Sequence, residues 1–504
     1  LRGGGGAGNE VAEAKPAMAA GCKSMQSIEA SAAPGTGALA GRPETIIRLT
    51  NAEMYAISLE NQCALHLAAA QARFEALIDR IRLVRRLAEE QGVSKLRTLE
   101  DLGLLLVPHS ASKSYPLSYI EQARFDRMTQ WLQGFTAHDL SRVDVSACET
   151  IDDWILTLDA QTPLRLVHSA GTSGKLSFLP RDEATSRQYA PGYVRQFDPF
   201  GEEPPRLGGP PEETPILYLQ HRRGAYGQQR MLDAVQSELF GGDASMIVST
   251  NPGRLSADAV SLGGRIRAAE ARGELDRVGL GKTLLARRDA FLAEQAGAET
   301  HFERFLDAIG DQFRGARVSV MGHLPQLHRL AVAGLKRGYE GIFAPDSFVA
   351  GGGGLKGVAL PADWRETVAR FLGPIKPTPG YGMSELVGVV RPCSQGHFHL
   401  PPWQIPFLLD PVSGAQFPRS GVRNGRFAAF DLNAGGYWGG FITGDEVTLS
   451  WGDTTPCPCG RIGPYVGSEI RRYSEAEGGD DKITCAGAPQ AYDKALEYVI
   501  AMGG

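Results

Sequence analysis

HSAGTSGKLSFLPRD, residues His168–Asp182, follows directly on the apolar run LRLV, Leu164–Val167. A buried strand that opens into a small, hydroxyl-rich turn with one cation is the feature from which the fold can be read. Gly171, Thr172, Ser173, Gly174 and Lys175 let backbone N–H groups approach an anion, while the hydroxyls and the ammonium add charge-assisted hydrogen bonds. Such a turn suits phosphate, and equally it can be a plain loop. GLGKT, Gly279–Thr283, is a decoy: a Walker A loop would need Gly at position 276, which is Asp276.

Working outward, further short apolar runs alternate with helical stretches. ILYL (Ile216–Leu219), MIVS (Met246–Ser249) and RVSVM (Arg317–Met321) read as buried strands. Helices are predicted at Gln228–Phe240, Leu255–Arg272, Lys282–Glu294, His301–Ile309 and Pro325–Arg337. This alternation predicts an α/β sheet covered by helices. Upstream, Thr45–Gly92 carries apolar residues at three- and four-residue intervals, a packed helical pattern. Residues 1–42 hold 9 Gly and 11 Ala, too little bulky apolar surface to fold. After Pro401 short β-like pieces and turn residues replace the helices. The division expected is a disordered tail over 1–44, a helical region over 45–160, an α/β core over 161–400, a β subdomain over 401–475 and a stub over 476–504.

Two later segments carry chemistry. PTPGYGMSELVG, Pro377–Gly388, puts Tyr381, Gly382, Ser384 and Glu385 within five residues. A Tyr can cover a flat base, and a Glu can hold a Mg²⁺ that bridges phosphates. In FITGDEVTLSW, Phe441–Trp451, Asp445 can accept hydrogen bonds from ribose hydroxyls. Each is an ordinary strand end or turn when read alone. Cys393, His399, Cys457 and Cys459 add three thiolates and an imidazole, a closed tetrahedral set for Zn²⁺, with His397 as the rival imidazole. A closed site leaves no place for substrate and reads as a structural staple.

Taken in order, these segments resemble the adenylate-forming superfamily of acyl-CoA synthetases, nonribosomal adenylation domains and luciferases. The resemblance runs from about Leu164 to Gly487 and includes AGGGGLKG, Ala350–Gly357. CSQGHFHLPPW and CPCGR look like the phenylacetate-CoA ligase and LuxE-type acyl-protein synthetase branch. The resemblance implies the family's N-terminal core with a zinc-bound β subdomain. It also implies adenylation of an aryl or fatty carboxylic acid by ATP and Mg²⁺, with pyrophosphate released. Thr172, Ser173, Gly174 and Lys175 would then hold the β- and γ-phosphates. Ser384 would touch the α-phosphate, Glu385 would bind Mg²⁺, Tyr381 would pack on adenine and Asp445 would bind ribose. Gly352, Gly353 and Gly354 would line the groove. His221, Tyr226 and Gly227 would contribute to the acyl pocket, and Arg222 and Arg223 are either further contacts to the acid or a solvated loop.

The departures concern the second half-reaction. The family's hinge Arg is missing before Asp480-Asp481, and Arg461 is the favoured replacement over Arg471 and Arg472. The 23 residues after Asp481 predict a vestigial C-terminal lobe without its catalytic lysine. The acceptor is an amine, a hydroxyl, CoA or a carrier protein's thiol. A rival reading is a non-catalytic or partner-dependent nucleotide-binding relic. The formal net charge of −5 and the absence of a Lys/Arg block exclude a nucleic-acid binder. No apolar run approaches the roughly 18 residues that span a bilayer. Nothing at the start resembles a signal peptide, so a cytoplasmic enzyme is the expectation.

Overall fold

The computed structural model describes residues 36–169, 175–274, 288–352 and 359–473. Thr172, Ser173, Gly174, Gly353, Gly354, the expected stub at 476–504 and most of the expected tail lie outside them. The remainder of that tail is not irregular: Thr36–Gly41 is helical, and Pro43–Arg48 forms a 3-10 turn that buries Ile46 and Ile47 completely.

Helices dominate up to residue 161, the longest being Leu59–Leu77 and Ile151–Gln161. The two-residue strand β1 (Val107–Pro108) interrupts them. β2 (Val167–His168) and β3 (Phe178–Leu179) then form an antiparallel hairpin. Next come β4 (Ile216–Arg223), β5 (Ile247–Arg254), β6 (Ser319–Met321) and β7 (Phe348–Val349). These four build a parallel sheet in the order β5-β4-β6-β7. The fold is therefore mixed α/β. Crossover helices at Gly227–Glu238, Arg288–Gln312 and Leu324–Lys336 cover this sheet, as parallel pairing requires, while the helix Ala257–Arg272 packs against Ile151–Gln161.

Beyond the Trp364–Leu372 helix the described chain is strand and turn. β8 (Phe398–His399), β9 (Gln404–Leu409), β10 (Val422–Asp431), β11 (Gly440–Ser450) and β12 (Tyr465–Arg472) pair in the order β8-β12-β11-β10-β9. β1 joins β11 in parallel, so this sheet recruits chain from the helical region. Among the described residues, no helix is long and apolar enough to cross a membrane.

An aromatic cluster seats the β2–β3 hairpin. The Phe178 ring meets Trp154 edge-on at 5.3 Å and Tyr115 at 5.6 Å. Trp154 is fully buried, and its indole N–H donates to Thr129 Oγ1 at 2.9 Å. Such pairs contribute about 0.5–1.5 kcal/mol each beyond their burial. They fix both arms of the turn that follows His168.

Two helix starts near this hairpin cap one another. The N–H groups of Ile151 and Asp152 donate to the Asp258 carboxylate at 2.9 and 3.0 Å. Ala257 N–H and Ser256 Oγ donate in turn to Asp152. Each carboxylate satisfies the open N–H groups of the other helix. Burial, and then the nearby Asp152, push Asp258 up to about 8. The folded state thus holds a proton that the unfolded chain releases near pH ~4. The stability this proton confers is full below that value and is lost as pH rises through about 8. Urea unfolding is expected to weaken over this window, by at most about 1.4 kcal/mol per pH unit from this group. Asp258→Asn should flatten the fall. An unchanged slope in that variant would remove Asp258 as its source.

Candidate functional site

The segment Tyr381–Gly388 runs between the parallel sheet and the β10–β11 sheet. Tyr381 is tied at its start by a backbone bridge to Val390, with Tyr381 N–H to Val390 O at 2.9 Å and the return bond at 2.8 Å. Ser384 to Val387 lie in turns, outside any strand ladder. Buried backbone of this kind must find its hydrogen bonds in side chains.

It finds them in Arg181 and Asp431. Arg181, fully buried just after β3, donates to the Ser384 carbonyl and to the Tyr189 hydroxyl. Asp431, at the end of β10, accepts from Val387 N–H at 2.6 Å and from Asn433 N–H at 2.9 Å. Burial pushes Asp431 up to about 6, against the pull of the Arg181 charge. Neither residue was singled out from the sequence, because each acts on partners far along the chain. Their one visible sign was a charged residue within an apolar stretch, Arg181 in FLPRD and Asp431 in FAAFDL.

Tyr381, Ser384, Glu385 and Asp445 converge. Tyr381 is buried, and its hydroxyl donates to Asp445 Oδ2 at 3.2 Å. Burial, then Asp445, hold this phenol well above its ordinary range. Asp445 Oδ1 accepts from Arg472 Nε at 2.9 Å, and Asp445 N–H donates to Thr443 Oγ1 at 3.0 Å. Burial raises the Glu385 carboxyl above its usual range, while the charges of Arg472, Arg181 and Lys113 pull it down. Lys113 ends the short 3-10 turn His109–Lys113, which packs against β3 and β11. It is a cation the sequence reading missed, since nothing local ties it to Glu385.

The other expected residues fall in several places. Lys175 leaves the hairpin turn and donates to the Tyr115 carbonyl at 2.8 Å, its ammonium 5.5 Å from the Tyr115 ring centre. Gly227 opens the Gly227–Glu238 helix beside this group: a Cβ there would lie 3.8 Å from Ser384 Oγ and 3.9 Å from Val167 Cγ1. Tyr226 is buried with its ring 6.1 Å from that of His168. His221 stays within β4, in register with Asn251, its carbonyl bonded to Gln229 Nε2 at 3.0 Å. Gly352 lies against Gly380, and Gly351 N–H donates to Thr378 O at 2.8 Å, so the Gly-rich strand end borders Pro377–Tyr381. Gly382 is exposed, and a Cβ on it would press on Gly388 O at 3.2 Å and Val389 Cγ2 at 3.1 Å.

Arg461 was expected to replace the hinge Arg, and Asp480-Asp481 lie outside the described residues. Arg461 is buried with both terminal nitrogens on Glu203, at 3.1 and 2.8 Å, and stacks over Tyr55 and Phe200. Arg472 pairs with Asp445, because the β11–β12 register sets the two directly opposite one another.

Arg461 instead adjoins the cysteine cluster. The donor atoms of Cys393, His399, Cys457 and Cys459 all lie within 4.8 Å of one another. His399 Nε2 is 3.2 Å from Cys459 Sγ, and Cys393 Sγ is 3.9 Å from Cys457 Sγ. His397 Nδ1 is 3.2 Å from Cys457 Sγ, so the rival imidazole stands at the same cluster. Three of the four donors are buried, and the group can hold a metal ion. Cys63, in contrast, is disulfide-bonded.

Arg181→Met would leave the Ser384 carbonyl and the Tyr189 hydroxyl without this donor. A stability loss of about 1–3 kcal/mol is expected by urea unfolding, from stranding buried polar groups. Adding Asp431→Asn should recover part of it, since that removes a buried carboxylate that keeps only the weaker of its two cations, Arg73. A loss below ~0.5 kcal/mol in the single variant would show that Arg181 does not anchor this segment.

No protein-family profile matches the chain, and no curated protein does. Among solved structures, it is similar to 2-hydroxyisobutyryl-CoA ligase in a postadenylation state with 2-HIB-AMP, at 13% identity and a TM-score of 0.43, over 82% of this chain and 68% of that one. It is also similar to ATP-bound MatB from Rhodopseudomonas palustris, at 14% identity and a TM-score of 0.32, over 60% of this chain. A third likeness is to the luciferase-like enzyme of the Zophobas morio mealworm, at 10% identity and a TM-score of 0.32. The last two matches span 46% and 56% of those chains. With every one of these TM-scores below 0.5, the functional reading rests on this chain's own residues.

Proposed function

We propose that the chain activates an organic carboxylic acid with ATP, forming an acyl-adenylate and pyrophosphate, and passes the acyl group to a nucleophilic acceptor. The observation that carries this reading is the meeting of Tyr381, Ser384, Glu385 and Asp445 beside the β2–β3 hairpin that bears Lys175. Segments more than 60 residues apart bring together an aromatic phenol, a hydroxyl and two carboxylates. Three cations, Lys113, Arg181 and Arg472, act on one of those carboxylates.

In the reaction, a carboxylate oxygen of the acid attacks the α-phosphorus, and the bond to the pyrophosphate oxygen breaks. Catalysis of such a transfer is chiefly alignment and charge stabilisation. Asp445, fixed by Arg472 and Tyr381, presents an oriented carboxylate to the ribose. Ser384 faces the phosphates from a backbone that Arg181 and Asp431 hold rigid. Glu385 is the residue to hold Mg²⁺, whose charge would offset that of the polyphosphate. Lys175, with Thr172, Ser173 and Gly174, takes the β- and γ-phosphates, and Lys113 adds a further cation. Tyr226 and Gly227 border the acid. Aryl and fatty acids, and amine, hydroxyl, CoA or carrier-protein acceptors, all remain within the proposal.

The cysteine cluster is proposed as a structural zinc site. Its donor set suits that ion: three sulfurs and an imidazole nitrogen already gathered, with no donor position left open for substrate. Cys393, His399, Cys457 and Cys459 would hold it, tying the 393–399 turn to the loop before β12.

ATP–pyrophosphate exchange across aromatic and aliphatic acids tests the activity, with exchange expected for one class. Glu385→Ala should reduce exchange at least 100-fold while the circular dichroism spectrum is kept. Exchange with no acid, or full activity in the variant, would defeat the reading or the role of Glu385 respectively. For the cluster, metal analysis should find about one zinc per chain, and Cys457→Ser should lower both zinc content and melting temperature. A zinc-free native protein would end that assignment.

A further inference from the structure

Arg222 and Arg223 stood out in the sequence as contacts to an acid or as a solvated loop. The structure gives them another setting. They line an open cleft of about 640 Å³ beside β5, the edge strand of the parallel sheet. Arg254, Arg304, His301 and Phe305 line it as well. None of its lining residues is among those gathered around Glu385.

The charges in this cleft are unbalanced. Arg223 and Arg254 are direct partners in the parallel β4–β5 register. Like charges placed opposite one another across strands are unfavourable, and natural sheets normally avoid them. Asp233, the one carboxylate lining the cleft, is already bonded to Arg222 at 2.8 Å. The carboxylate that feels Arg254, Asp159, is taken by Arg230 at 2.8 Å. Arg223 and Arg304 make no ion pair among the described residues.

The contrast on the Arg288–Gln312 helix sharpens the point. Its Glu299 pairs with Arg329, and its Glu303 and Asp307 pair with Arg337. On that side each Arg has an acid. His301, Arg304 and Phe305, spaced three and four apart, instead share the face toward the cleft. In a chain of net charge −5, this is a local concentration of cations that outnumber the carboxylates beside them.

We propose that this cleft is a second ligand site, separate from the nucleotide site, for a small organic phosphate. Guanidinium groups take phosphate oxygens in pairs, through parallel N–H bonds that an ammonium cannot reproduce. A dianion between Arg223, Arg254 and Arg304 relieves their mutual repulsion. Arg222, pinned by Asp233 and Gln236, keeps the wall in place. The cleft's volume fits one compact molecule and not a polymer strand.

Calorimetric titration of the full chain with 1-naphthyl phosphate, with and without saturating ATP, tests this. Binding is expected to be indifferent to ATP, and at least tenfold tighter than for 1-naphthol. Arg223→Gln with Arg304→Gln should weaken it at least tenfold. Both residues are exposed, and the melting temperature of the variant should match the parent. Arg304→Lys, which keeps the charge but not the paired bonds, should fall between. Equal binding by the double variant, displacement by ATP, equal affinity for 1-naphthol, or tighter binding of an oligonucleotide would each overturn the proposal. The readout is binding alone, so it stands or falls independently of carboxylate activation.

Discussion

The hydrogen bonds that Arg181 and Asp431 make to the backbone of Ser384 and Val387 are the constraint on which the site depends. This stretch passes between two sheets without joining either. A strand ladder would satisfy its polar groups but would also flatten it and turn alternate side chains away. Side-chain partners satisfy the backbone and leave the chain curved, so that Tyr381, Ser384 and Glu385 lie close together. The two anchors come from different directions, Arg181 from beyond the β2–β3 hairpin and Asp431 from the end of β10. The segment is thereby located relative to both. An ionic anchor in so buried a place is a weak source of net stability, because desolvation offsets most of the attraction. Its worth lies in fixing one conformation.

Much of the sheet architecture was legible in the sequence for a simple reason. ILYL, MIVS and RVSVM are short, largely apolar runs, and each lies in or directly against a strand of the parallel sheet, β4 and β6 being mostly buried and the edge strand β5 half-buried. The helices between them show an apolar face every three or four residues. The Gln228–Phe240 and Pro325–Arg337 expectations fall within two residues of helices at Gly227–Glu238 and Leu324–Lys336. Tyr381, Ser384, Glu385 and Asp445 were legible because each sits in a compact local pattern of Gly, hydroxyl and acid.

What was not legible is what depends on pairing across long distances. Arg181 reaches a carbonyl 203 residues away, and Lys113 acts on the distant carboxylate of Glu385. No local pattern encodes either. The choice between Arg461 and Arg472 is the clearest case. Arg461 looked better placed because it adjoins the CPCGR element. Proximity in sequence to the cysteines meant proximity in space to them, hence to Glu203 and away from Asp445. Arg472 meets Asp445 through strand register, which no local pattern expresses. At the end of the expected tail, Ala- and Gly-rich composition likewise says nothing of the surface onto which the Thr36–Gly41 helix packs.

β12 links the two halves of this account. At its start Tyr465 pairs with His399, one of the cluster donors, and the Tyr465 ring stacks on His397 at 4.6 Å. At its end Arg472 pairs with Asp445. Between them the ladder is interrupted, since Leu449 pairs with Val466 but Val447 pairs with Ile470. An irregular ladder defines its own register poorly, and a slip of one residue would turn Arg472 to the opposite face of the sheet. The ends must therefore set the register. The cluster fixes the first end by holding His399 against Cys459, and the ion pair fixes the second. A bound metal would lock the first end through coordinate bonds some 20 Å or more along the strand from Asp445, given a rise of about 3.3 Å per residue. The cysteine cluster then matters to the Tyr381–Asp445 group without touching it. It holds the strand in the one alignment that lets Arg472 orient the Asp445 carboxylate.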